Sequence, residues 1–162
     1  MGRIEGIKNQ LNLIKALNDT KFRLIIIGDA APNQKEYFES CKKNAAANIS
    51  FISHLPQQQL LAHYAAAKVH VLPSWFEVCG LASLEAAAMG CQVVITDNGY
   101  ARSYFHDDAF YCDPTSPASI LDAVEKAAVS NANTGLQNRI ISHYSWQQAA
   151  EKILSAYKKY IV

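Results

Sequence analysis

The chain has 162 residues, half of them apolar and 18% charged, which suits one soluble globular domain with a sizeable core. Its formal net charge is +1 and it contains no long basic run, so composition makes no electrostatic case for nucleic acid. No apolar stretch reaches the roughly 18 residues of a membrane span and the first residues are too polar for a signal peptide; Cys41, Cys79, Cys91 and Cys112 are too scattered for a zinc motif and read as reduced thiols of a cytoplasmic protein.

The first helical pattern runs from Asn9 to Leu17, with Leu13, Ile14 and Leu17 on one face. Arg23 to Ile27 is a continuous apolar run closed by Gly28-Asp29, the pattern of a strand buried on both faces. A helix from Gln34 to Asn44 follows, then a strand from Asn48 to Ile52. Gln57 to Ala67 reads as a helix that places Leu60, Leu61 and Tyr64 together, before a third strand at Lys68 to Leu72. After a loop from Pro73 to Gly80 a helix opens at Leu81, with Leu81, Leu84 and Ala88 inward and Gly90 as its stop. Gln92 to Thr96 and the short Ala109 to Cys112 are the fourth and fifth strands. Ser116-Pro117 is an N-cap followed by proline, opening a helix that buries Ile120, Leu121 and Val124. Ser145 and Gln148 form a capping box for a last helix, with Trp146, Ala150, Ile153, Leu154 and Tyr157 predicted to face inward.

Strands alternating with helices predict an α/β fold: one Rossmann-like domain spanning residues 1–162, with a parallel sheet covered by helices on both faces. Ligands of such sheets sit beyond the carboxyl ends of the strands. That rim would carry Gly28, the Ser53-His54-Leu55 turn, the Pro73–Gly80 loop and the segment from Asp97 to Tyr100. Glu77 lies in the loop and Glu85 lies four residues into the helix from Leu81, near its apolar face. A carboxylate there costs several kcal/mol unless it is hydrogen-bonded or paired. The free N–H groups near Gly80, Leu81 and Ala82 would attract an anion, phosphate above all. Physics alone leaves a second account open, in which Glu85 caps an internal amine and Glu77 is simply solvated.

Pro73-Ser74-x-x-Glu77-x-x-Gly80-Leu81-x-x-x-Glu85-Ala86-x-Ala88-x-Gly90 resembles the E-x7-E signature of retaining, family-4-type glycosyltransferases of the GT-B fold. Gly2-Arg3 with Lys8 is similar to that family's basic phosphate loop, and Tyr144-Ser145-Trp146 to the start of its last helix. The resemblance implies the C-terminal, donor-binding domain of such an enzyme. Arg3 and Lys8 would neutralise the donor diphosphate, Glu85 would accept from the ribose hydroxyls, and Glu77 would face the transferred sugar. The backbone N–H groups of Cys79, Gly80 and Leu81 would meet the sugar and the distal phosphate. His54 would border the base, although a plain turn histidine explains it equally well. Arg3, Lys8 and Glu77 form the implied catalytic group, with Glu77 positioning the sugar and the cations stabilising the departing diphosphate. No cofactor and no metal are implied. The acceptor would be a polysaccharide or a lipid-linked chain of the cell envelope, held by an N-terminal domain that this sequence lacks. The full enzyme would be cytoplasmic, with peripheral membrane association compatible with that acceptor.

Three departures stand out. The family's strand before Gly-Arg is represented only by Met1, so the first strand is expected to be truncated, leaving a gap between buried strands or open edges. Gln92 stands where the family usually has proline, and Tyr100 where it often has a second glycine. Two other readings compete: a non-catalytic Rossmann-like interaction module, and a fragment of a nucleotide-sugar epimerase. The first would bind no nucleotide; the second needs an acid/base pair on the sugar, which is not apparent.

Overall fold

Why the strands lie where they do follows from their composition. β1 (Leu24–Ile27) and β4 (Gln92–Thr96) are the most continuously apolar stretches, and β4 is buried at all five positions. Full burial of Val93, Val94 and Ile95 stabilises the fold by about 1.5–3 kcal/mol per side chain. The computed structural model describes residues 1–160. β1 pairs in parallel with β2 (Ile49–Ile52), from Leu24 opposite Ile49 to Ile27 opposite Ile52. β3 (Val69–Leu72), β4 and β5 (Phe110–Cys112) form a second parallel group in that order, with Val69 opposite Gln92 and Thr96 opposite Cys112.

Helices cover both faces. α1 (Gln10–Leu17) and α6 (Pro117–Val129) pack Leu13, Leu17, Ile120 and Val124 with Val94. On the opposite face α4 (Leu81–Ala88) and α7 (Thr134–His143) pack Leu84, Ala87, Leu136 and Ile140 with Val93 and Ile95. α2 (Lys35–Asn44) lies over β1 and β2, where Cys41 joins Ile14, Ile26 and Ile49. α3 (Gln57–Ala66) reaches α4 through Tyr64, Ala86 and Cys91. The α/β class, the parallel pairing and the two helical layers agree with the sequence reading. Ser116 caps α6 as expected, its side chain accepting from the Ser119 N–H at 3.2 Å, and Ser145 accepts from the Gln148 N–H at 3.2 Å.

Other expectations are corrected. α5 (Arg102–Phe105) and α7 have no counterpart in the sequence reading. Leu61 and Leu81 are exposed, not inward. α8 (Trp146–Tyr160) buries none of its residues, so Trp146, Ile153, Leu154 and Tyr157 point to solvent. Their spacing gave an apolar stripe, but spacing does not specify a partner for it. Among the described residues no helix is long and apolar enough to cross a membrane.

The sheet is divided. Among the described residues β1 forms its ladder with β2 and β3 with β4, so the other edges of β1 and β3 face each other without hydrogen bonds between them. The space between is a cavity of about 620 Å³ lined by Met1, Gly2, β1, β3 and residues of α1, α3 and α6. The expected gap is therefore present, and the helices bridge it: α1 belongs to the β1 half by sequence yet packs on α6 of the other half.

Candidate functional site

The site is built on the loop between β3 and α4. Ser74, fully buried at the end of β3, donates from its hydroxyl to Glu77 Oε2 at 3.1 Å. Lys8 Nζ reaches the same oxygen at 3.0 Å. The Glu77 side chain is only 12% exposed and that of Lys8 29%, so the pair is shielded well beyond an ordinary surface ion pair. The Glu77 backbone is clamped as well: its N–H donates to the Asn98 carbonyl at 3.1 Å, and its carbonyl accepts from the Tyr100 N–H at 2.9 Å. The resulting bridge to Gly99 demands glycine, because a Cβ there would sit 2.1 Å from the Glu77 carbonyl oxygen, at a φ of +113°.

Lys8 arrives through a short 3-10 helix, Gly6–Lys8, that ends on Asn9 in the left-handed conformation. Asn9 is buried and donates from Nδ2 to the Pro73 carbonyl at 3.0 Å and to the Pro114 carbonyl at 2.8 Å. The Trp75 N–H donates to the Ile7 carbonyl at 2.9 Å. These bonds lock the Lys8 turn to the strand ends. Asn9 and Ser74 were missed as site residues; the signal for Asn9 was an asparagine just before an amphipathic run, where Asn tolerates positive φ.

α4 begins at Leu81, with Gly80 preceding it. The Gly80 carbonyl accepts from Ser83 N–H at 2.7 Å and Leu84 N–H at 3.0 Å, while Leu81 and Ala82 are first-turn positions whose N–H groups have no intrahelical acceptor. Cys79 is half-buried; burial, then the Glu77 charge, pushes its thiol up, which disfavours the thiolate. Glu85 is half-buried on α4 and accepts from the Tyr64 hydroxyl at 3.1 Å. Burial raises the Tyr64 phenol, reinforced by the Glu85 charge, so Tyr64 stays a donor. The Met1 ammonium lies near Glu85; its burial lowers its pKa and the Glu85 charge opposes that.

The structure thus brings Lys8, Glu77, Cys79, Gly80 and Leu81 together at the carboxyl end of β3, with Glu85 one helical turn beyond. Arg3 does not join Lys8: it is 70% exposed and pairs with Glu5 at 3.3 Å. His54 lies exposed past the end of β2.

A D-inositol 3-phosphate glycosyltransferase from Pseudarthrobacter chlorophenolicus is 31% identical over 96% of the chain, and the chain covers 41% of it. The chain spans about two fifths of the length of the curated relatives it matches first. Among solved structures, sucrose-phosphate synthase from Thermosynechococcus elongatus superposes with a TM-score of 0.84 at 20% identity, over 98% of this chain and 44% of that one. Anabaena HepE in complex with UDP and glucose superposes with a TM-score of 0.74 at 23% identity, over 95% and 47%. Residues 1–143 match the family described as glycosyl transferases group 1, and the chain belongs to that family.

Proposed function

We propose that this chain is the donor-binding part of a retaining glycosyltransferase that takes a sugar from a nucleoside diphosphate. The observation that carries the reading is the shielded Lys8–Glu77–Ser74 cluster beside the open N-terminus of α4. The cation and the free N–H groups suit a diphosphate. The two glutamates are acceptors only and suit hydroxyls. Glu85 keeps one carboxylate oxygen beyond its bond with Tyr64 and accepts from the ribose. Glu77, clamped through its backbone, orients the hydroxyls of the sugar. Arg3 leaves Glu5 to meet the phosphates. His54 borders the base.

In this reading the chemistry is charge stabilisation. As the bond from the anomeric carbon to the diphosphate breaks, negative charge grows on the leaving oxygens. Lys8, Arg3 and the first turn of α4 face that charge. Glu77 is held by Lys8 and Ser74 and acts by positioning, with no metal in the scheme. The acceptor, a polysaccharide or lipid-linked chain by the same resemblance, is held by the remaining three fifths of the length seen in the relatives.

Ligand-observed NMR with UDP, GDP, ADP and the matching nucleosides tests the reading. Lys8→Ala should weaken the diphosphates and hardly change the nucleosides. Glu85→Ala should weaken both by roughly 1.5–3 kcal/mol, the range for hydrogen bonds to a charged group, and should abolish discrimination against 2′,3′-dideoxyribose. Failure of every nucleoside diphosphate to bind the wild-type chain overturns the reading in favour of a non-catalytic module.

A further inference from the structure

We infer that Tyr64 is the positioning residue for ribose recognition: its hydroxyl holds the Glu85 carboxylate in the orientation that accepts from the ribose hydroxyls of a nucleotide. The inference rests on the ribose role proposed for Glu85. Glu85 is half-buried on α4, between the buried Leu84 and Ala86. A glutamate side chain is long and rotamer-rich, so the helix alone does not aim its carboxylate. Tyr64 supplies the aim, because its hydroxyl donates to Glu85 Oε2 at 3.1 Å across 21 residues of chain. Among the described residues no other side chain hydrogen-bonds to Glu85, and Oε1 is left for a ligand.

Tyr64 is itself fixed from several sides. Its ring joins Ala86 and Cys91 in a core cluster and is only 2% exposed. Its carbonyl accepts from the Ala67 N–H at 3.1 Å and from Cys91 Sγ at 3.1 Å. Cys91 in turn donates from its N–H to the Ala86 carbonyl at 3.0 Å, so one turn ties the end of α3 to α4. The ring also stands edge-on to His70, with centroids 6.0 Å apart, and His70 Nε2 lies 3.1 Å from the Ser83 hydroxyl on α4. The phenol oxygen is therefore set relative to α4 before any ligand arrives. Burial, then the Glu85 charge, pushes the phenol up, so near neutral pH it keeps the proton that it donates.

This is preorganisation of a binding group by a neighbour that the ligand does not touch. A phenol placed only to satisfy a half-buried carboxylate would support α4 as a whole, and its loss would weaken every ligand of the site alike. A positioning role acts through Glu85 alone, so its loss falls on the ribose hydroxyls.

The experiment is ligand-observed NMR with UDP, GDP, ADP and their 2′,3′-dideoxy forms. It compares the wild-type 162-residue chain with Tyr64→Phe, Glu85→Ala and the double variant. Phenylalanine keeps the ring and removes only the hydroxyl. Tyr64→Phe should cut the preference for ribose over dideoxyribose by about three- to tenfold, the effect of one hydrogen bond. Dideoxy affinity should stay within about twofold, and in the Glu85→Ala background Tyr64→Phe should change neither ligand, as a double-mutant cycle requires of two residues acting as one. A wild-type preference in Tyr64→Phe, an equal loss for both ligand forms, or the same loss without Glu85 overturns the inference while the donor-binding reading stands. Failure of every ribose form to bind the wild type, or an undiminished preference in Glu85→Ala, overturns the reading and the inference with it. A measurement on the wild-type chain covers the case in which Tyr64→Phe does not fold. With ring-labelled tyrosine, the ribose form should shift the Tyr64 signal and the dideoxy form should leave it in place; equal shifts, or none, overturn the inference.

Discussion

His70 and Gly99 show how much single residues carry. His70 is buried on β3, with Nε2 3.1 Å from the Ser83 hydroxyl and its ring edge-on to Tyr64. Burial, and secondarily the nearby Met1 ammonium, pull His70 down to about 3 from 6.5. The unfolded chain therefore takes up a proton below about pH 6.5 that the fold refuses until about pH 3. Stability from this group is full above pH 6.5 and declines as pH falls toward 3. Between pH 7 and pH 5 the loss is about 2 kcal/mol. Urea titrations should show that loss in the wild type and a smaller one in His70→Gln, whose other titrating groups are the same; matching slopes would refute the assignment. For Gly99, an added Cβ collides with the Glu77 carbonyl. Gly99→Ala should cost on the order of 1–3 kcal/mol, read as a lower urea midpoint. An unchanged midpoint would mean that the clamp on Glu77 is not rigid.

α8 is the element least tied to the rest. It buries nothing, and its exposed Trp146, Ile153, Leu154, Tyr157 and Tyr160 form an apolar stripe. α7, by contrast, commits Leu136 and Ile140 to the core. Truncation after Ser145 is expected to leave the thermal midpoint within about 2 °C of the parent, because surface changes away from packed features usually stay within about 0.5 kcal/mol. Circular dichroism melts measure this directly; a fall of 5 °C or more would show that α8 packs on the domain in solution.

For the molecule as a whole, the proposed function assigns every site residue to the donor, and none to an acceptor. Sugar transfer needs the acceptor oxygen held about 3–3.5 Å from the anomeric carbon with water excluded. The 162-residue chain alone should therefore transfer no sugar, and should bind a nucleoside diphosphate with a dissociation constant on the order of 0.1–1 mM. Micromolar binding or robust transfer by the purified chain would show the donor side to be self-sufficient.

The sequence by itself determined the local elements and much of the site. Short, mostly apolar runs marked all five strands, Ser116-Pro117 and Ser145 marked two helix starts, and the spacing from Glu77 to Glu85 marked the loop and helix where the cluster forms. These are signals over a few residues, where period and capping chemistry act directly. α5 and α7 escaped because each is short or weakly patterned and is held by packing, as Phe105 and Ile140 show. Tertiary structure alone decided that Lys8 crosses 69 residues of chain to reach Glu77 while Arg3 turns to Glu5, and that Asn9 ties three segments together. It also decided that the stripe on α8 faces solvent, and it set the width and the lining of the gap in the sheet. An apolar periodicity says that a face needs cover, and a basic residue says that a charge needs a partner; which neighbour supplies either depends on contacts between distant segments, and those arise only when the chain is packed.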